Sequence, residues 1–496
     1  MPRAGLASAP ARVTRSGRRS GTSAAERYIA GVPARIMRPR LVFIACLAAL
    51  VSFGVLMVYS ASSVEAANTY GSATFFVMRQ AIFAVLGLIG ILVIIHAPDK
   101  YLDEAHLWAY NVLMVLLLVA VALVGRGSRG ATRWLNLGFM QFQPSEFLKL
   151  VIIPLVALLF ENLYSDRVPD TRLFIKKMGI ALVPSLVLIF LQPDFGTVII
   201  LVLTVFAMAL FANIRKETAL GILAAIGLLC LLALAVEPYR ITRLLVAGDP
   251  WADEFGDGYQ ATLAIMAFAS GGLFGRGIGN STMKYSYLPE AHNDYILAII
   301  GEEVGFVGTL LLFIVFALLI WSAFKIAEQA TNRRGALIAS GCAVVLAVQF
   351  LINALGILNV IGMTGKPLPF ISYGGSSMIV SLCLAGLILR VSHESARKDQ
   401  YERRRESFAV YDESTAGEAH VRGARSRDGF SVYDGTGVSR ASGSRAATPR
   451  QPGSGPTRTV RTNARGYDRI DLNSDPSARL RTDDEGPRVR RDYHDR

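Results

Sequence analysis

The sequence predicts an all-α polytopic membrane protein of about ten transmembrane helices with both termini in the cytoplasm. Three observations predict it. First, 52% of the 496 residues are hydrophobic and 18% charged, and the charge gathers at the two ends of the chain. Second, residues 41 to 395 hold apolar runs close to the roughly 20 residues that a helix needs to span a bilayer. Third, five polar, Gly- and Pro-marked segments interrupt those runs, and all five fall on the same predicted face: Gly130–Lys149, Gln192–Gly196, Gly271–Asn280, Tyr287–Glu303 and Thr364–Ser377. Hydrocarbon tolerates such material only where protein buries it or water reaches it.

The apolar runs place helices at 41–60, 77–96, 106–124, 145–161, 175–191, 195–212, 218–237, 294–323, 335–359 and 373–392. A large extracytoplasmic loop, 238–293, joins the seventh to the eighth. Only Gln192-Pro193-Asp194 separates the fifth from the sixth; Pro removes a donor and restricts its predecessor, so the chain breaks there. Orientation follows from Lys and Arg. Residues 1–40 carry nine Arg and one Glu, and the connections on that side hold Lys100, Arg167, Arg172, Lys176, Lys177, Arg215, Lys216, Lys325, Arg333 and Arg334. The opposite side has fewer basic residues over longer connections, which puts the termini inside.

Two flanking segments complete the organisation. Residues 1–40 form a basic cytoplasmic N-tail and 396–496 a C-tail mixing Arg, Asp, Gly, Ser and Pro. Neither holds enough apolar surface to offset ordering entropy, so both are expected to be disordered. Juxtamembrane Arg also attracts anionic membrane lipid. The net charge of +13 comes from tails and short loops, as in membrane proteins, and a nucleic-acid partner is rejected. The cysteines (Cys46, Cys230, Cys342, Cys383) lie inside apolar runs without metal-ligand spacing and are read as packing residues.

The outward segments carry the chemistry. In the first, Pro144 and Ser145 suit a helix start, and Glu146 and Lys149, three apart, can pair on one face. Such a pair either fixes packing or serves a substrate. Arg126, Arg129 and Arg133 oppose the orientation bias and suit bidentate phosphate capture, and Trp134 beside them is an interfacial ring or presses on a lipid or sugar. Asp194 either caps the sixth helix or shapes a cavity. The Gly-x-Gly-x-Gly string at 275–279 follows no strand, so it reads as a hinge or a close backbone approach rather than a nucleotide loop. Glu290, His292 and Asp294 arrive together at the mouth of a helix, where Asp294 is either an N-terminal cap or a general base toward a sugar hydroxyl. Glu302 and Glu303 lie two turns deeper and need partners. In the last segment Lys366 adds a mobile positive charge, and Ser372 and Tyr373 sit where hydroxyls and backbone donors can hold an anion or form a polar re-entrant turn.

These strings resemble the SEDS family of bacterial cell-wall polymerases: Arg133-Trp134, Gln143-Pro144-Ser145-Glu146 with Lys149, Gln192-Pro193-Asp194-Phe195-Gly196, Tyr287 through Asp294, Gly301-Glu302-Glu303, and Pro369 through Ser377. They occur in the family's order over residues 41–395. The resemblance implies a ten-helix fold and an inverting transfer that extends a glycan strand from lipid II, releasing undecaprenyl diphosphate at the outer face of the cytoplasmic membrane. It maps the essential acid onto Asp294 and a sensitive Trp onto Trp134. The stretch Lys284 to Asp294 resembles the division branch, FtsW, while Met363 to Phe370 leans toward the elongation branch, RodA; division is favoured. The resemblance implies a class B penicillin-binding transpeptidase as partner, and the tails offer docking for other division proteins.

On this reading Asp294 takes the acceptor's proton, and Arg133, Lys149 or Lys366 neutralises the departing diphosphate. A divalent cation (Mg or Mn) is compatible with that departure, although no residue spacing specifies a metal site. Two other readings stand beside it. A lipid II flippase or transporter also needs intramembrane charge and broken helices. A scaffold acting through its tails would leave the charged outer site without a purpose.

Overall fold

The computed structural model describes residues 28–407 apart from 30–31, 125, 129–130, 137, 139, 165–170, 215–220, 222–245 and 286, together with four short strands beyond 410. The predicted seventh helix, 218–237, lies outside the described residues except at Gly221, as do residues 1–27 of the N-tail.

The described α-helices are α1 (Ala34–Tyr70), α2 (Phe75–His96), α3 (Glu104–Val124), α4 (Pro144–Tyr164), α5 (Thr171–Leu191), α6 (Phe195–Phe211), α7 (Tyr259–Gly271), α8 (Ile296–Glu328), α9 (Arg333–Ile357) and α10 (Gly375–Ser407). Seven of them are long and apolar enough to cross a membrane. Local chemistry sets their ends. Gly71 closes α1 at φ 70°, donating its N–H to Ala67 O. Pro144 opens α4, where a missing N–H costs nothing. Asn332 caps α9 by accepting from Gly335 N at 2.6 Å.

Helices α9 and α10 form the centre: their apolar windows are 78% and 89% buried, against 22% for α3 and 17% for α5. Helix α10 packs on α2 and α9, α8 on α1, α7 and α9, and α3 on α4 and α5. The outward ridges are apolar and unburied, as with Leu88, Leu92 and Val93 on α2 or Leu310, Leu311 and Ile314 on α8. Such a belt suits lipid, because surface this apolar is not left to water in a soluble monomer. The chain is a multi-pass membrane protein. Cys46, Cys342 and Cys383 are buried and free; Cys230 lies outside the described residues.

The structure corrects several expectations. The helical region extends past 41–395 at both ends, because α1 starts at Ala34 and α10 continues to Ser407. The loop expected at 238–293 contains a helix, α7, whose small faces (Ala264, Ala267, Gly271) seat it on α8. Between α3 and α4 the chain forms antiparallel strands: β3 (Arg126–Ser128) pairs with β4 (Ala131–Asn136), and β4 with β5 (Gln141–Phe142). Trp134 stands opposite Arg126 and Leu135 opposite Phe142. Ahead of α1, β1 (Tyr28–Ile29) pairs with β2 (Val32–Pro33).

Residues 410–496 make a separate unit. Its described residues are two antiparallel pairs, β6 (Tyr411–Asp412) with β7 (Phe430–Ser431) and β8 (Arg461–Thr462) with β9 (Asp468–Arg469).

Candidate functional site

One end of the bundle gathers the polar segments, and at its base lies a buried ionic cluster. Asp194 is 1% exposed, in the turn between α5 and α6. Its Oδ1 lies 2.7 Å from Lys366 Nζ. Its Oδ2 accepts from Gln143 Nε2 (3.1 Å), Ser145 Oγ (3.0 Å) and Thr197 Oγ1 (2.9 Å). It also caps α6 through Thr197 N, so the structure shows the cap. Burial opposes ionisation of Asp194, but Lys366 and Arg133 outweigh it and hold the carboxyl well below the usual range. Glu146 and Lys149 pair at 2.7 Å, as their spacing predicts, and Lys149 Nζ also donates to Gln349 Oε1 at 2.9 Å. Lys366 Nζ stands 3.7 Å from Glu146 Oε1 and donates to Thr197 Oγ1 at 2.5 Å. Two carboxylates and two ammoniums thus balance in a nearly dry space.

This corrects the reading of Lys366 as a mobile charge. It is 2% exposed and held by three oxygens, so it locks the 364–377 segment onto α4 and α6. Gly196 makes room for it, since a Cβ there would lie 2.7 Å from Lys366 Cγ. Lys149 is likewise enclosed and paired. Arg133, in contrast, is half-buried on β4; its Nε donates to Gln192 O at 3.2 Å and it also bonds Pro193 O. It therefore ties the strands to the α5–α6 turn near Asp194. Trp134 is half-buried beside it.

Above this cluster sits the segment 287–295. Asp294 is half-buried in the turn ahead of α8, whose N-cap is Tyr295, so Asp294 stands just outside the helix rather than in its first turn. Asn353 of α9 donates through one Nδ2 to Asp294 O at 2.9 Å and to Lys366 O at 2.8 Å. That single amide clamps the acidic turn to the lysine segment. Gly365 faces the Asp294 carboxylate: a Cβ there would lie 3.4 Å from Oδ2, and the backbone at φ 68° suits Gly. His292 is buried, with Nδ1 3.2 Å from Glu65 Oε2 of α1. Its ring packs 4.5 Å from Phe76 and 5.6 Å from Tyr373, and its carbonyl accepts from Tyr373 N at 2.9 Å. Ser372 is buried and serves the turn, accepting from Leu368 N at 2.8 Å. Glu290 is exposed and accepts from Asn293 Nδ2 at 2.5 Å. Arg79 of α2 is half-buried against Phe75, 4.5 Å from the ring centroid, on the side of Tyr373.

Glu302 and Glu303 find the partners that their depth demands. Glu302 accepts from Ser281 Oγ (2.5 Å), Thr282 Oγ1 (2.6 Å) and Thr282 N (2.9 Å), with Arg276 Nη1 at 3.6 Å. Glu303 accepts from Ser60 Oγ at 2.6 Å and Ser281 N at 3.3 Å. The glycine string is a close approach: a Cβ on Gly275 would lie 2.2 Å from Glu303 O, and one on Gly305 2.2 Å from Gly275 N. Gly305 breaks α8 at φ 69° to permit this. These contacts anchor the segment that precedes 287–295.

Sequence reasoning missed Glu65, Arg79, Gln349 and Asn353. The last two look like ordinary polar residues in an apolar helix, but intramembrane amides signal a partner and were legible on that ground. Glu65 and Arg79 were hidden because nothing local points them toward His292 and Tyr373. Among the described residues, no group of three or more His, Cys, Asp or Glu is placed to hold a metal ion.

Comparison with known proteins places this arrangement. The family model for the FtsW/RodA/SpoVE cell-cycle proteins matches residues 40–397. A probable peptidoglycan glycosyltransferase FtsW of Halothiobacillus neapolitanus is 37% identical over 372 residues, covering 73% of this chain and 89% of that protein. Stage V sporulation protein E of Bacillus subtilis is 35% identical over 360 residues, covering 72% and 98%. Among solved structures, a chain from "Structural coordination of polymerization and crosslinking by a peptidoglycan synthase complex" superposes with TM-score 0.58 at 28% identity, covering 71% of this chain and 97% of that one. The rod shape determining protein RodA of Thermus thermophilus gives TM-score 0.52 at 27% identity, covering 71% and 96%. By its sequence over most of its length and by its fold, this chain belongs to the FtsW/RodA/SpoVE family of cell-cycle proteins.

Proposed function

We propose that this protein is a peptidoglycan glycosyltransferase of the division type, polymerising lipid II at the outer face of the cytoplasmic membrane and working at the septum. Relatives named probable peptidoglycan glycosyltransferase FtsW support the activity and the division branch. The observation that carries the mechanism is the clamp by Asn353, which fixes the turn bearing Asp294 directly onto the ion-locked lysine segment. A carboxylate on a rigid, half-buried turn suits general-base work, because its position needs no reorganisation at the moment of reaction.

In the reaction, Asp294 accepts the proton of the acceptor's sugar hydroxyl. That oxygen bonds the donor's anomeric carbon as the bond to undecaprenyl diphosphate breaks, with inversion. The buried pairs Asp194–Lys366 and Glu146–Lys149 act as frame, and among the described residues the half-buried Arg133 and Arg79 are the cations assigned to the departing diphosphate. A penicillin-binding transpeptidase would cross-link the product, in keeping with the synthase complex that this fold resembles. Assay with and without Mg2+ or Mn2+ tests the divalent-cation expectation.

The test is polymerisation of labelled lipid II by the purified protein in liposomes, with and without its cognate transpeptidase. Long glycan products insensitive to penicillin are expected, and Asp294→Asn should abolish them while expression and folding persist. Near-normal polymerisation by that variant would remove Asp294 from the base role. Transbilayer movement of labelled lipid with no polymer under any pairing would replace the polymerase reading with the flippase one.

A further inference from the structure

The other end of the bundle, where α1 begins and α8 ends, holds a feature that the polymerase reading does not use. Helices α1 and α8 leave between them a crevice of about 200 Å³. Pro39 and Val42 of α1 line it together with Trp321 of α8, and its wall is apolar. Arg35, Arg38 and Lys325 also border it. On α1 the spacing from Arg35 to Arg38 to Val42 puts these residues on one face, and on α8 Trp321 and Lys325 are one turn apart. The cations therefore cluster at one mouth of an apolar slot.

The slot opens toward lipid. Trp321 is exposed, and Leu318 and Ile314 continue its stripe along α8 toward the middle of the bilayer. Leu41 and Ile44 do the same on α1. Arg35 shares its charge with the half-buried Asp399 at 3.3 Å and Lys325 with the exposed Glu328 at 2.7 Å. Arg38 is exposed and makes no ion pair among the described residues. Three cations above an apolar slot, with an exposed Trp at the boundary, form the complement of an anionic headgroup on acyl chains.

We propose that the α1–α8 crevice is a binding site for one anionic glycerophospholipid, its phosphate held by Arg38 and Lys325 and its acyl chains laid along Trp321, Leu318 and Ile314. The site stands on the membrane-spanning fold alone and not on the polymerase reading. Its leaflet is the one at which α1 begins and α8 ends. A lipid seated there would couple the start of α1 to the end of α8, the two helices that carry Glu65 and Glu303 at the far end.

Trp321 supplies its own reporter. The full-length protein is placed in nanodiscs of phosphatidylcholine containing a brominated lipid, either phosphatidylglycerol or phosphatidylcholine. The quenching that disappears in a Trp321→Phe variant isolates the crevice. Brominated phosphatidylglycerol should quench at lower mole fraction than brominated phosphatidylcholine, by roughly fivefold for each engaged cation. Arg38→Gln with Lys325→Gln should erase the preference, and Arg38→Lys should keep it. Should the double variant aggregate, Arg38→Gln alone still predicts a loss of roughly fivefold. Equal quenching by the two lipids, or a preference that survives Arg38→Gln and the double substitution, would overturn the site. So would loss of the preference on adding inorganic phosphate, which would mark a simple anion site without acyl recognition.

Discussion

Replacing Lys366 with Met tests the frame under the proposed site. Lys366 Nζ lies 2.7 Å from Asp194 Oδ1 and 3.7 Å from Glu146 Oε1, and both partners are almost fully buried. At an effective dielectric of about 20, a pair at this separation gains roughly 6 kcal/mol of gross Coulomb energy. Much of that offsets desolvation, so the measurable loss on removing one partner should be about 3–5 kcal/mol. The variant also leaves Thr197 Oγ1 without its strongest neighbour and the cluster with one excess negative charge. Unfolding by denaturant in mixed micelles reads the loss. In the native protein Asp194 has a depressed pKa, so its stabilisation is fully present above about pH 4 and is lost as pH falls through the folded pKa. In Lys366→Met the main depressing charge is gone, a carboxyl can take a proton, and the penalty should shrink as pH is lowered. Adding Asp194→Asn restores neutrality, so the double variant should cost less than the sum of the singles by about 1–3 kcal/mol. Strict additivity, or a Lys366→Met protein as stable as the wild type at neutral pH, would refute the buried-cluster reasoning.

Three further outcomes follow from the geometry. Asn353→Ala releases both Asp294 O and Lys366 O, and should lower the polymerisation rate about a hundredfold with a smaller change in the lipid II concentration needed for half-saturation; an unchanged rate would show that the clamp does not position the base. Glu65→Ala removes the carboxylate beside His292 and should slow polymerisation roughly tenfold to a hundredfold while the protein still elutes as a monodisperse species; full activity would make the contact incidental. Gly275→Ala puts a Cβ 2.2 Å from Glu303 O at a φ of 79°, and should destabilise by roughly 2–4 kcal/mol in micelle unfolding, whereas Gly138→Ala, with open space around it, should cost only the backbone strain.

The sequence by itself determined the class of fold and the positions of most helices. Span length and hydrophobicity are local properties of a chain in lipid, and helix-start signals such as Pro144 and the cap Asp194 are written within a few residues of the ends they set. It also determined the motif residues, because carboxylates and amides are too costly in hydrocarbon to be there idly. The Glu146–Lys149 pair was legible from spacing alone. Helix α7 was not, since an amphipathic helix of 13 residues embedded in a Gly-rich loop carries neither the length nor the uniform hydrophobicity of a span. The strands at 126–142 were hidden by their shortness.

Only the tertiary structure decided what each charged side chain meets. Lys366 and Arg133 look equivalent in sequence, yet one is sealed among three oxygens at the α4–α6 interface while the other stays half open at the edge of a strand. Glu65 meets His292, and Asn353 joins Asp294 to the lysine segment, across separations that no local pattern encodes. The physical reason is that burial and charge pairing belong to the packed bundle: which cation is sealed and paired and which stays half open is settled only when the helices close around them.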